Sequence, residues 1–300
     1  MLYKELSKKI LLLLLFICLL PLNIASTGFA EETGIVTLEQ AVKAAQELAF
    51  RSAGAAGDIN SSVNVPGVLD TKDILQANTI ALNVATTVID LDFARKKYEY
   101  LAAKQELLKI RAAKAENDFK VGMIDANVYE ELKMEIAQNS FDLNYYRMQI
   151  EYCEKSYKKI TGVDISVNFQ FNSAYLIVDA GKIQLPSYSD QSEDSDETEK
   201  KFNDVLAAYS KLGKFIASYI KASEDLAQAE DGYKVGKIDF ETVEALKEKK
   251  EQARIDALEA KAAYSKLLYE LDCSLQGYIS VKIKNIANPI FSPISQTSEV

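Results

Sequence analysis

The sequence predicts an all-α fold in which two long antiparallel helical hairpins follow one another, with short β-strands at the end opposite the hairpin tips. Three observations support this prediction: long stretches of apolar residues at helical spacing, a turn motif that occurs twice, and an alternating segment after each hairpin. The two turns are Phe119-Lys120-Val121-Gly122-Met123-Ile124-Asp125 and Tyr233-Lys234-Val235-Gly236-Lys237-Ile238-Asp239.

The first long helix is predicted over 71–121, because apolar residues advance by three or four positions from Ile74 to Phe119. A helix of that size has about fifty residues and is roughly 75 Å long at 1.5 Å per residue. Two polar residues, Arg95 and Gln105, interrupt the stripe. A second stripe extends from Val128 to Ile160, and two further helices are predicted at about 197–235 and 239–276. Helices this long need partners in water, so a coiled-coil bundle is expected.

An internal repeat relates the two hairpins. When the sequence is shifted by 114 residues, nine of the eighteen positions in 116–133 are identical. The same shift aligns Ile165-Ser166-Val167 with Ile279-Ser280-Val281. Residues 165–171 and 279–283 alternate between apolar and polar side chains, which predicts a short half-buried strand after each hairpin.

Each residue of the twin turn has a structural explanation. Gly122 and Gly236 suit the left-handed conformation that ends a helix, and Asp125 and Asp239 are expected to cap the returning helix. A hydrophobic staple is predicted in each copy, between Ile124 and Tyr129 and between Ile238 and Val243. The motif is therefore either a good helical turn and nothing more, or a matched pair of tips that meets a partner.

The N-terminus has the features of a secretory signal peptide. Basic residues precede an apolar run over 10–22, and cleavage is expected before Glu31, with an uncleaved anchor as the alternative. The resulting organisation is a signal peptide (1–30), a short helix with a Gly/Ser-rich linker (31–70), the first hairpin with its strand (71–171), an acidic linker (172–196), the second hairpin with its strand (197–284) and a flexible tail (285–300).

Composition excludes several classes of function. The formal charge is −9, which argues against a nucleic-acid partner. The chain contains no histidine, the commonest general base and metal ligand, and its glycines form no phosphate loop. Its carboxylates alternate with lysines on helix faces, as solvated ion pairs do, and the acidic run 190–199 is interpreted as a solvated loop. We therefore expect no enzyme, no cofactor and no metal site.

Cys153 and Cys273 lie in apolar helical stripes of the mature chain. Two cysteines are too few for a disulfide framework, so they are interpreted as small buried hydrophobes. A bridge between the two hairpins remains the alternative.

These features resemble the TolC-type outer-membrane efflux proteins. The segment Thr37-Leu38-Glu39-Gln40-Ala41-Val42 is similar to the opening helix of that family, each turn is similar to its hairpin tips, and each return helix ends near Gly162 or Gly277 as in the family. The resemblance covers about 37–50, 71–171 and 197–284. It implies a homotrimer with a twelve-helix tube, whose tips meet a periplasmic adaptor (membrane fusion) protein of a transporter complex for drug efflux or type I secretion.

Carried over residue by residue, the resemblance assigns partner binding to the hairpin tips. The residues concerned are Phe119, Val121, Gly122, Met123, Asp125, Tyr233, Val235, Gly236, Lys237 and Asp239. Lys237 departs from the apolar residue usual at its position, which puts full docking of the second tip in doubt.

The chain also departs from the family where two membrane strands precede each long helix. Residues 51–69 are rich in Gly, Ser and Asn, and residues 172–197 are mostly polar and acidic, so neither segment is expected to span a bilayer. The sequence therefore predicts a relative without the barrel, exported to the cell envelope or cell surface, that forms or extends a helical conduit. The alternative is a structural or interaction coiled-coil protein of the envelope without transport activity. A pore-forming, toxin-like protein is less favoured, because no helix is apolar all round.

Overall fold

The computed structural model describes residues 36–56, 71–165, 170–176, 178–183 and 193–275, which all belong to one unit, Ile35–Val300. The predicted signal peptide, the tail at 285–300 and the second predicted strand lie outside these described residues.

Five α-helices lie in the described part of the chain, one short and four long. They are α1 Leu38–Ala56, α2 Thr71–Lys120, α3 Ala126–Thr161, α4 Glu193–Lys234 and α5 Phe240–Ser274. Helices α2 and α3 pack as the first hairpin, and α4 and α5 pack as the second, which confirms the predicted fold class. Helix α4 begins four residues before the position that the periodicity predicted.

The four long helices form a layer in the order α3, α2, α5, α4. Arg111 pairs with Glu248 at 2.7 Å, and Asp90 pairs with Lys266 at 2.7 Å much further from the turns. From the first pair to the second, the residue number falls on α2 and rises on α5, so these two helices are antiparallel. Both tips therefore lie at the same end of the layer. Helices α3 and α4 are the two edges of the layer, and this arrangement decides which faces stay uncovered.

Helix α1 packs against α2 and α3. Its start is a capping box, because the Gln40 amide donates to Thr37 Oγ1 at 3.3 Å while the Thr37 amide donates to Gln40 Oε1 at 2.8 Å. Its buried face joins α2 in a core that includes Ala41, Val84 and Val88. The helix thus covers the first hairpin away from the tips.

The polar interruptions of the α2 stripe find partners on α3. Arg95 pairs with Glu154 at 2.6 Å. The buried amide of Asn139 donates to the Leu101 carbonyl at 3.0 Å and to Gln105 Oε1 at 2.6 Å. Because a buried polar group left unpaired costs free energy, this network favours one register of α2 against α3.

The segment between the hairpins differs from its interpretation as a polar linker. It contains two 3-10 turns, Phe171–Ala174 and Ala180–Lys182, and Tyr175 and Val178 are buried against the helices. The prediction that the first strand extends to Phe171 is wrong, since this residue begins a 3-10 turn, where its ring packs against the core and the Arg95 guanidinium lies over it. Residues 166–169 of that strand lie outside the described residues, and just after them the Gln170 amide donates to the Val36 carbonyl at 2.9 Å.

Both cysteines of the described region are free thiols. Cys153 is buried, as predicted, and burial raises the pKa of its thiol to about 11. Cys273 is half-buried. The bridge that the sequence left open is not formed.

Candidate functional site

Both tips have the same backbone geometry. Gly122 and Gly236 each have φ of +73°, so the predicted left-handed conformation is confirmed. The Met123 amide donates to the Asp118 carbonyl and the Lys237 amide to the Gly232 carbonyl, each at 2.8 Å. These bonds close the last turn of each outgoing helix and satisfy carbonyls that would otherwise lack partners.

The two aspartates at the start of the returning helices behave differently. Asp239 Oδ1 accepts a hydrogen bond from the Thr242 amide at 2.7 Å, and the Thr242 side chain and this amide together lower the pKa of the carboxyl. Asp125 lies at the cap position, but its side chain makes no capping hydrogen bond, so the predicted cap is wrong at the first tip. The tip is exposed, and water can accept hydrogen bonds from the free N–H groups at the start of the helix, so capping by the Asp125 side chain is not required.

The second tip is closed by a small apolar cluster. Leu226, Ala229 and Val243 are buried, and Ile238 and Leu246 pack against them, which confirms the predicted staple in this copy. Gly232 makes room for Ile238, because a Cβ there would lie 2.8 Å from Ile238 Cδ1. The second tip is therefore stabilised by the packing of Ile238 in a buried apolar cluster.

The first tip is packed through aromatic rings. Phe119 and Tyr129 stack with ring centroids 5.6 Å apart and an interplanar angle of 15°. The Lys133 ammonium lies 4.2 Å from the centroid of the Tyr129 ring. Position 118, which corresponds to Gly232, is an aspartate. The first tip therefore lacks the glycine that admits an isoleucine in the second.

The ten predicted site residues all lie at the two tips, and all are exposed. The side chains that project furthest are Val121, 70% exposed, Met123, 75% exposed, and Val235, 67% exposed. Lys237 takes the place of Met123 in the second tip, so the first tip ends in the more apolar surface.

Sequence reasoning missed a second apolar surface, which we name the α3 outer stripe. It consists of large side chains that are 50–68% exposed and lie on the helix face opposite the hairpin core: Met134, Phe141, Tyr145, Met148 and Tyr152. Their spacing of seven, four, three and four residues is that of a coiled-coil seam. The signal was present in the sequence as a second heptad register on α3. The first register, which packs on α2, is sufficient by itself to predict the helix, so the second was not needed for that prediction.

The exposed face of α4, at the other edge of the layer, carries small side chains between charged ones such as Lys211, Lys214 and Lys221. Ala207, Ser210, Gly213 and Ala217 are all exposed on this helix. The two edges of the layer thus differ, because α3 carries a stripe of large apolar side chains and α4 carries small side chains among lysines.

Within the described residues, no group of three or more His, Cys, Asp or Glu side chains could hold a metal ion. In the same part of the chain, no helix is both long and apolar enough to span a bilayer. The charged side chains of the tips form local ion pairs, such as Lys120 with Glu116 at 2.6 Å and Lys234 with Asp231 at 2.8 Å.

No protein-family model and no curated protein matches the chain, but solved structures do. CusC, whose structures concern "conformational changes accompanying folding and transmembrane channel formation", matches at 11% identity with a TM-score of 0.50, covering 80% of this chain and 92% of that one. The outer-membrane channel OprN matches at 11% identity and a TM-score of 0.49, covering 80% and 90%. The outer membrane protein VceC of Vibrio cholerae matches at 11% and 0.46, covering 80% and 92%.

The similarity to CusC, with a TM-score of 0.50 at 11% identity, shows the fold of this chain. CusC matches over almost its whole length, and the matched part of this chain is large enough to include residues from both hairpins. The chain therefore has the helical-hairpin fold of the TolC-type channel proteins.

Proposed function

We propose that this chain is an extracytoplasmic, TolC-like component of an efflux or type I secretion system, in which copies assemble side by side into a helical conduit. The tips of the hairpins dock an adaptor protein, and the chain has no enzymatic activity of its own. A homotrimer would bring together twelve long helices, as the resemblance to the family implies.

The observation that carries this proposal is the pair of unpartnered edges. Counted along the helices from Gly122 and from Gly236, Phe141, Tyr145 and Met148 of the α3 outer stripe each lie at the height of a small exposed residue of α4, whereas Met134 lies at the height of Glu224. The matched pairs are Phe141 with Ala217, Tyr145 with Gly213 and Met148 with Ser210, and Tyr152 lies one residue further from the tip than Ala207 does. Large side chains opposite small ones let two helices approach closely.

The directions of the two edge helices also favour this assembly. Helix α3 runs away from the tips and α4 runs toward them, so α4 of a second copy beside α3 would continue the antiparallel order of the layer. Such a contact joins two different surfaces. It therefore leaves one edge of each copy open until a ring closes.

Self-association is tested by analytical ultracentrifugation of the mature chain and of Phe141→Glu. Phe141 is 68% exposed in one copy. Burying a phenylalanine side chain contributes about 2–3 kcal/mol, so covering this exposed part stabilises each contact by about 2 kcal/mol. We expect Phe141→Glu to weaken association at least about 30-fold.

Ile110→Glu is the matched control, because Ile110 is 67% exposed but lies on α2, which is not an edge helix. This variant should associate like the parent. A parent chain that stays monomeric at high concentration, or equal loss in both variants, would contradict the proposed assembly.

Docking at the tips is tested separately, with the isolated helical hairpin of an adaptor protein as the probe. Met123→Lys should weaken binding, because it places a charge at the most exposed apolar position of the first tip. Lys237→Met makes the reciprocal change at the second tip and should preserve or strengthen binding.

A chain that forms rings but does not bind the adaptor hairpin would favour the alternative function, a coiled-coil spacer of the cell envelope. That alternative has its own support, since the glycine geometry, the Asp239 cap and the Ile238 staple each stabilise a turn without any partner.

A further inference from the structure

The two hairpins meet along a seam between α2 and α5 that has an apolar part, where Leu258 and Ala262 join Val88 and Ile89 in one buried cluster, and a polar part. Tyr100 Oη donates to Gln252 Oε1 at 2.8 Å, and ion pairs cross the same seam nearer the tips and further from them. Polar contacts of this kind exchange readily with water. The seam is therefore a place where a change in charge can alter how the hairpins hold together.

The segment that joins the hairpins, residues 170–176 and 178–183, lies on this seam, and we name it the connector. Tyr264 Oη donates to the Val178 carbonyl, and Ser265 Oγ donates to the Leu176 carbonyl at 3.0 Å. Tyr175 Oη donates to Asp92 Oδ2 at 2.5 Å. Side chains of α5 and α2 thus hold the connector from both sides of the seam.

Lys261 of α5 is buried under the connector, with only 5% of the residue exposed. Its ammonium nitrogen lies 4.5 Å from the centroid of the Tyr175 ring. Asp92 Oδ2 already accepts from Tyr175 and from Lys96 Nζ, the latter at 3.0 Å. Among the described residues, no carboxylate oxygen lies within 4.0 Å of Lys261 Nζ, so a protonated amine has no ion-pair partner and gains only the weaker attraction of the Tyr175 ring face and of the more distant Asp92.

Three neighbouring groups determine the charge of this amine. Asp92 and Lys96 face it from α2, and Tyr175 faces it from the connector. Burial, which is the largest effect, and the charge of Lys96 together lower the pKa of Lys261 to about 8 against the opposing charge of Asp92. Burial and the charge of Asp92 raise the pKa of Tyr175 well above its ordinary value, so the ring stays neutral as Lys261 titrates.

A protonated Lys261 gains free energy by reaching water, and the connector is the covering element that can move at least cost. Helices α2 and α5 are held by continuous backbone hydrogen bonds over many turns. The connector has no such ladder: its two short 3-10 turns are held by a few side-chain hydrogen bonds and by the burial of Ala174, Tyr175, Val178 and Ala180 in the core clusters. We infer that protonation of Lys261 shifts the connector toward an open form, away from the seam between the hairpins, so that the fold contains a pH-responsive latch.

The direction and size of the response follow from proton linkage. In the closed form the amine titrates near pH 8, and in a hydrated open form it returns to the ordinary lysine value of 10.5. The open form therefore binds more protons between these values, and opening becomes more favourable as pH falls. The opening equilibrium should be about tenfold larger at pH 6.5 than at pH 9.

Hydrogen exchange of the connector amides in the full mature chain tests this inference. Rates at pH 6.5 and pH 9 are compared after division by the intrinsic exchange rates. We expect about tenfold weaker protection of the connector at pH 6.5, and no such change in the middle of α2. Equal protection of the connector at both pH values would overturn the inference, whatever the partners of the tips prove to be.

Two variants isolate the amine. Lys261→Met has a side chain of similar length that does not titrate, and its connector should show the same protection at both pH values. Lys266→Met removes an ammonium from the same helix, one that pairs with Asp90 at 2.7 Å, and it should retain the tenfold response. A tenfold response that persists in Lys261→Met, or disappears in Lys266→Met, would assign the effect to another group.

Discussion

Replacing Gly232 with alanine tests the packing of the second tip. The new Cβ would lie 2.8 Å from Ile238 Cδ1 and 2.9 Å from Ile238 Cγ1, closer than carbon atoms can approach. Ile238 must therefore turn away and lose its packing against Leu226, Ala229 and Val243. For a half-buried isoleucine this loss is about 1–1.5 kcal/mol.

Helix propensity acts in the opposite direction, because alanine is favoured over glycine by about 1 kcal/mol inside a helix. The two effects nearly cancel, so Gly232→Ala should be neutral or destabilise the chain by about 0.5 kcal/mol. Gly213 is the matched control, since nothing lies within 4 Å of a Cβ placed on it. Gly213→Ala should therefore stabilise the chain by about 1 kcal/mol.

Urea unfolding followed by circular dichroism, at concentrations where the chain is monomeric, measures both variants. The background variant Ile238→Ala makes the test specific. In that background Gly232→Ala should become stabilising, like Gly213→Ala, and the coupling between the two positions should be about 1–1.5 kcal/mol. If Gly232→Ala stabilises the parent chain as much as Gly213→Ala does, Ile238 is not packed against Gly232 and the proposed difference between the tips is refuted.

Three further predictions follow from the same geometry. Gly122→Ala should lower the free energy of unfolding in urea by about 1–2 kcal/mol, because φ is +73° at this position. Nothing lies within 4 Å of a Cβ there, so the cost comes from the backbone conformation alone. A neutral result would mean that the backbone leaves the left-handed region. Asp239→Ala should lower the melting temperature more than Asp125→Ala, because only Asp239 accepts a capping hydrogen bond. The stability that Asp239 contributes is present above its ordinary pKa and is lost as pH falls through its lowered pKa in the folded chain. The difference in melting temperature between the two variants should therefore vanish in acid. Burial raises the pKa of the Cys153 thiol from 9.0 to about 11, so at pH 8 this thiol should react with a disulfide reagent at least about 100-fold more slowly in the folded chain than in urea. The half-buried Cys273 should be less protected. Equal rates for the two thiols would contradict the buried position of Cys153.

Local sequence was enough to predict the turns because their geometry depends on a few neighbouring residues. Gly122 and Gly236 are left-handed as expected, since any other residue pays a steric cost there. The cap at Asp125 shows the limit of the same reasoning. An aspartate at the right position is free to accept a hydrogen bond, but on an exposed tip water competes for the same amide.

The α3 outer stripe shows a different limit. The helix carries two apolar registers, and only the packing of α2 against one of them reveals that the other is uncovered. Lys261 could not be identified either. A lysine in an alternating charged helix predicts a solvated side chain, and its burial depends on the connector that crosses the seam from a distant part of the sequence.

The sequence by itself determined the helices, their pairing into two hairpins and the twin turns, because helical periodicity, glycine conformation and short connections act between near neighbours. Only the tertiary structure decided the order α3, α2, α5, α4, and with it which helices are edges and which charges are buried. The physical reason is that burial depends on which faces meet across the layer, and those contacts join residues far apart in the chain, as Tyr175 joins Asp92.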